Sequence, residues 1–143
     1  MRKMLWTLLV LSVAACDTTV TKEEMATADY GPRPEHWQDE IRNYLSIRLQ
    51  APKEAKVDFR AGPKMLYQRG SVLRGEQYGW GVCVVVDDKD KSGEWQGAYP
   101  MTFILRDDKI VHVNGGPDDG AIIGPNYARK QCEQLGAPPV PRD

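Results

Sequence analysis

Apolar residues recur along this chain with two different periods. In "RPEHWQDEIRNYLSIRLQAP" the residues Trp37, Ile41, Tyr44, Leu45 and Leu49 stand 4, 3, 1 and 4 positions apart, which places them on one face of a helix. Pro34 near the first turn, with Glu35, Asp39 and Glu40 close behind, suits the positive end of a helix dipole, and Pro52 stops the pattern. Further on the period drops to two. "AKVDF" and "KMLYQ", separated by Gly62-Pro63, read as one bent or interrupted strand region. In "WGVCVVV" Trp80, Val82, Val84 and Val86 face one side and Cys83 and Val85 the other. With β-branched residues throughout and both faces apolar, this is the pattern of a central strand covered on both sides.

"YPMTFILR" and "KIVHVNG", joined through Asp107-Asp108-Lys109, predict a hairpin. Gly115-Gly116-Pro117 ends it. "NYARKQCEQL", residues 126–135, predicts a short helix capped by Asn126 and closed by Gly136. The expected fold is therefore α+β: an N-terminal amphipathic helix packed on a small antiparallel meander of roughly three to four strands, with a short C-terminal helix. "APPVPRD", residues 137–143, predicts an extended Pro-rich tail. No internal repeat is present.

The start of the chain follows another logic. Arg2 and Lys3 precede an uncharged run over residues 4–15 and then Cys16, the arrangement of a secretory signal. The run is too short for a membrane span, which needs roughly 20 apolar residues. Val13-Ala14-Ala15-Cys16 resembles the lipobox of bacterial lipoproteins. That resemblance implies cleavage before Cys16, a diacylglyceryl thioether on its sulfur and a fatty acyl group on the new amino terminus. It also implies a cell-envelope location, with the domain facing the periplasm from the inner or outer membrane. Asp17 resembles the residue that retains enterobacterial lipoproteins in the inner membrane. Residues 16–33, polar and ending in Gly31-Pro32, read as the lipidated Cys and a flexible tether to a single domain over residues 34–136.

Removal of the first 15 of 143 residues leaves 128, enough for one core. Discounting Arg2 and Lys3, 17 basic residues face 20 acidic ones, a net charge of −3. This near balance argues against a nucleic-acid partner, which would call for a basic stripe. With Cys16 acylated, Cys83 and Cys132 form an even pair in an oxidising compartment, which predicts a disulfide; the alternative is two buried thiols.

Candidate chemistry centres on "DDKDKSGEWQGAY". Asp88, Asp90, Ser92 and Gly93 fall on positions 1, 3, 5 and 6 of an EF-hand loop, but position 12 holds Tyr99 in place of the bidentate Glu. The setting between strands also differs from the helices an EF-hand requires, so a solvated turn explains the same residues. Trp95 and Tyr99 on this loop either dock on a partner or fold back on the domain's own core. His36 and His112 are the only histidines and form no metal-ligand spacing. No nucleophile elbow or phosphate-binding loop is present, and Cys83 lies among apolar neighbours that would hold it inert. "NYLSIRLQA" shares Asn, Leu-Ser and Arg elements with the helix by which envelope proteins grip peptidoglycan, but Arg48 falls one residue early and no Ala follows it.

Three motifs carry a wider resemblance. Leu49-Gln50-Ala51-Pro52-Lys53-Glu54-Ala55, Gly79-Trp80-Gly81-Val82-Cys83, and Lys89-Asp90 through Gly93 and Gly97 together resemble a family of short, uncharacterised proteobacterial proteins, many of them exported. The resemblance spans residues 34–111, and Lys89-Asp90 departs from the Lys-Asn of the family pattern. It implies the fold and carries no activity. The expectation is a membrane-anchored envelope lipoprotein with a non-catalytic structural or protein-interaction role, no cofactor, and an envelope protein as possible partner. The alternative is a small-ligand or weak cation-binding module using the 87–99 loop.

Overall fold

A computed structural model describes residues 20–119 and 123–140. The signal segment, Cys16 and the last residues of the tail lie outside the described residues. The elements run α1 (Lys22–Thr27), α2 (Trp37–Arg48), β1 (Lys56–Gln68), β2 (Gln77–Asp87), β3 (Tyr99–Arg106), β4 (Lys109–Asn114) and α3 (Ile123–Gln134). The four strands form one antiparallel meander in the order β1-β2-β3-β4. No helix among the described residues is long and apolar enough to cross a membrane.

Period-two alternation divides the sheet into two apolar faces. Val82, Val84, Val86, Met101, Phe103 and Leu105 meet Ile41 and Leu45 of α2 and Leu49 at its C-cap. Tyr44 stands edge-on to Phe103 at 5.5 Å, and Trp37 edge-on to Phe59 at 5.3 Å. The opposite face joins Leu66, Cys83 and Ile104 to Cys132 and Leu135 of α3. There the sulfurs of Cys83 and Cys132 stand at bonding distance, 2.07 Å, across 49 residues of chain. The two cysteines are 0% and 2% exposed, so the link joins α3 to the central strand inside the core.

β1 is one bent strand, as the Gly62-Pro63 break predicts: its register with β2 slips between Phe59 and Ala61 and again between Ala61 and Lys64. The slips change which face its side chains serve, so Phe59 packs on the α2 side and Ala61 and Leu66 on the α3 side. The β3–β4 turn places Asp107 and Asp108 at φ 51° and 57°, the left-handed pair that a two-residue hairpin requires. α2 has no cap from its own His36 side chain. Asp108 of the hairpin turn instead holds the chain just before α2, its Oδ1 accepting from the backbone N–H of Glu35 at 2.8 Å and of His36 at 3.3 Å.

Two expectations are corrected. Part of the stretch read as a tether is structured: Thr21 and Glu24 form a capping box that opens α1, and Glu24 pairs with Arg69 at 2.6 Å. Hydrogen bonds from Arg69 hold the Glu24 carboxyl down to about 2, so the clip stays charged well into acid. Tyr30 is buried edge-on to Tyr78, and the Gly31 carbonyl accepts from Trp80 Nε1 at 3.1 Å; these tertiary partners order a segment that has no periodicity of its own. Second, α3 begins at Ile123, so Asn126 lies within its first turns and is not its cap. Pro125 is tolerated there because the first N–H groups of a helix lack intrahelical partners. The predicted stop is as expected: Gly136 at φ 78° closes α3 with Gly136 N–H donating to Glu133 O and Ala137 N–H to Cys132 O, a Schellman pair. The Pro-rich tail packs on the domain as far as residue 140. Val140 is buried and its carbonyl accepts from Arg129 Nη1 at 2.8 Å.

Candidate functional site

β2 ends at Asp87, and the chain takes up β3 again at Tyr99. The predicted contact loop between them is organised by two carboxylates. Asp88 is 4% exposed. Its oxygens accept from Gln50 N–H at 2.7 Å and Ala51 N–H at 3.0 Å, two backbone donors just past the end of α2. α2 is thus tied to the sheet by Asp108 at its start and Asp88 beyond its end. Asp90 Oδ1 accepts from Ser92 N–H at 2.8 Å, Ser92 Oγ at 2.6 Å and Glu94 N–H at 3.0 Å. This set of donors, Ser92 first, lowers the Asp90 pKa.

Both carboxylates that matched EF-hand positions therefore face donors from the chain itself. Among the described residues no group of three or more His, Cys, Asp or Glu could hold a metal ion. Asp88→Ala strands two backbone amides in a buried place and is expected to lower unfolding stability by about 1–3 kcal/mol. Urea denaturation checks this, and Asp88→Asn, which keeps one acceptor oxygen, should recover part of the loss.

Trp95 is 45% exposed. Two lysines approach its ring, with Lys56 Nζ 4.6 Å and Lys89 Nζ 5.1 Å from the centroid, and Lys89 also pairs with Glu54. A bridge between Lys89 and Trp95 holds the loop closed. Tyr99 instead turns inward and packs against the α2-side core. Burial, reinforced by the charges of Asp88 and Asp87, pushes its hydroxyl up to about 12, so it stays protonated at any physiological pH. The two loop aromatics thus divide the alternatives: Tyr99 serves the core and Trp95 the surface.

Beside this loop is a cleft of about 380 Å³ walled by Arg48, Asp88, Lys89, Asp90, Lys91 and Tyr99, with Pro117 and Pro125 opposite. Of the predicted site residues, Asp88, Asp90 and Tyr99 line it, whereas Ser92 and Trp95 do not. Arg48 reaches Asp118 at 2.7 Å and covers the Tyr44 ring. His36 is at the start of α2 and His112 is on β4, where burial and then the charge of Arg106 lower its pKa. No hydrogen bond links either ring to an acid among the described residues.

A second polar cluster was not anticipated from the sequence. Gln77, Thr102, Asn114 and Gln131 are all buried on the α3 side of the sheet. Asn114 Nδ2 donates to Gln77 Oε1 and Gln131 Oε1, each at 2.8 Å. Gln77 Nε2 and Arg74 Nη1 donate back to Asn114 Oδ1 at 3.2 and 2.8 Å, and Thr102 Oγ1 bonds Gln131. Arg74 continues to Asp119, which accepts from Gly115 N–H at 2.7 Å. Gln77 precedes Cys83 by about 20 Å of flat strand, yet it meets Asn114, whose partner Thr102 is opposite Cys83. The outer end of the β1–β2 hairpin therefore bends back over the α3 face. Gly79, at φ 151°, sits at the bend, and a Cβ there would lie 2.6 Å from Leu105 O.

No family model, curated protein or solved structure matches this chain.

Proposed function

We propose that this protein is an envelope lipoprotein, held on its membrane through acylated Cys16, whose domain has a structural or protein-interaction role in the periplasm. What supports the non-catalytic reading is how the 87–99 loop uses its groups. Asp88 and Asp90 satisfy backbone donors, and the loop offers outward Trp95 with two cations against its ring. Aromatic residues flanked by charge are enriched where proteins dock on one another. The anchor rests on the lipobox resemblance, and the resemblance to exported proteins agrees with it.

Intact mass of the protein from its native membranes, with and without reduction before alkylation, tests the reading. The expected mass carries acyl groups on Cys16, with Cys83 and Cys132 alkylated only after reduction; a full-length, unmodified mass with free thiols would overturn it. Trp95→Ala is expected to change stability by no more than about 1 kcal/mol, the range of an exposed cation–π contact. It should also weaken cross-linking of the protein to its envelope partner. A large stability loss with cross-linking intact would assign Trp95 to the fold instead.

One observation favours a second reading, a small-ligand module: Arg48, Lys89 and Lys91 gather at the cleft, a setting for an anion. A cation is the weaker candidate there, and millimolar calcium should leave Tm unchanged, because any ligand of the native state must raise it.

A further inference from the structure

The tip of the β1–β2 hairpin is a tight turn with two apolar residues at its centre. Ser71 N–H donates to Arg74 O at 2.6 Å, and Ser71 Oγ accepts from the N–H groups of Leu73 and Arg74, each at 3.2 Å. Such turns ordinarily carry Gly, Pro, Asn or Asp at their middle positions. Here they carry Val72 and Leu73, exposed 104% and 72%. The base of the tip is held on both sides, Arg69 by Glu24 and Arg74 by Asp119 and Asn114. Two apolar side chains are thereby presented to solvent on a braced support.

The position of this tip relative to the anchor says what could cover it. α1 is clipped to Arg69, three residues before Val72, and its cap Thr21 follows Cys16 by five residues. Five residues reach at most about 17 Å and three about 10 Å, so a bilayer entered by acyl chains on Cys16 is within reach of the apolar tip. Met25 of α1 is 40% exposed.

We propose that Val72 and Leu73 form a second membrane contact, entering the interfacial layer of the bilayer beside the acyl anchor. The proposal rests on the lipoprotein reading above. Two such side chains would hold a free protein only weakly, but the anchor makes their insertion intramolecular, at the high effective concentration a short linker provides. With two points fixed, the domain has a set orientation on the bilayer.

The test uses the mature acylated protein in vesicles of phosphatidylethanolamine and phosphatidylglycerol with brominated acyl chains. Leu73→Trp places a fluorophore at the tip and Ile47→Trp one on the exposed face of α2, 80% exposed in the parent residue; each is read against the parent protein. The added Leu73→Trp emission should fall about two-fold, since an interfacial contact lies about 5–10 Å deep, while that of Ile47→Trp should be unchanged. Val72→Trp is a second probe should Leu73→Trp fail to match the parent's melting curve. An acylated protein whose tip emission is unquenched overturns the proposal and leaves the anchor standing, a result also expected if another protein covers the tip. Equal quenching at both sites overturns it as well, because the domain would then lie on its α2 face. An intact mass lacking acyl groups removes the anchor reading and this proposal with it.

Discussion

Cys83→Ala/Cys132→Ala is expected to lower the stability of the domain by about 4 kcal/mol. The 49-residue separation sets the size of the effect, because the cross-link restricts the unfolded chain and the restriction grows with the logarithm of the loop. Against a typical total of about 5–15 kcal/mol, such a loss leaves little reserve. Both sulfurs are buried, so a reductant added to the folded protein should act slowly, through opening of α3. Urea denaturation of the oxidised protein and the double variant measures the difference. A gap below about 1 kcal/mol would mean that the reduced, unfolded chain already holds these segments together.

Asn114→Leu is the second large loss, about 3–5 kcal/mol, since each buried polar partner left unsatisfied costs about 1–3 kcal/mol. Asn114 is 0% exposed and serves Gln77, Gln131 and the Arg74 guanidinium together. Its removal orphans groups on β2, on α3 and in the hairpin tip at once. Gln131→Leu should cost less, because Arg74 and Gln77 keep Asn114 as partner. In double-variant cycles Asn114→Leu and Gln131→Leu should be strongly non-additive, as members of one network are. Additive losses would show that the residues act separately.

The apolar patterns made the meander, α2, and the Cys83–Cys132 pair legible because each follows from a period or a count that a single segment carries. Alternation in residues 80–86 even assigned Val82, Val84 and Val86 to one face and Cys83 to the other, as the two cores have it. The buried network left only a weak trace: Thr102 and Asn114 are polar residues at inward positions of apolar strands. Nothing local says that Gln77 will be folded back to meet them, since that depends on the bend at Gly79. The order of residues 21–31 was hidden for a related reason. Its partners, Arg69, Tyr78 and Trp80, lie 45 to 49 residues further along the chain. At the 87–99 loop the carboxylates suggested a cation because their spacing is visible in sequence, whereas the amides of Gln50 and Ala51 that Asp88 serves are not.

The bulged path of β1 has one more consequence, which concerns crowding. β1 and β4 are the outer strands of the sheet, and outer strands are where one chain can add itself to another. The two register slips and Pro63, which has no N–H to donate, break the free margin of β1 into short pieces, and β4 is only six residues long. Proteins confined to a membrane plane meet far more often than in bulk solution. If the domain is held on a membrane as proposed above, a sheet with no long straight margin can be packed densely there without neighbouring copies joining into a continuous ribbon.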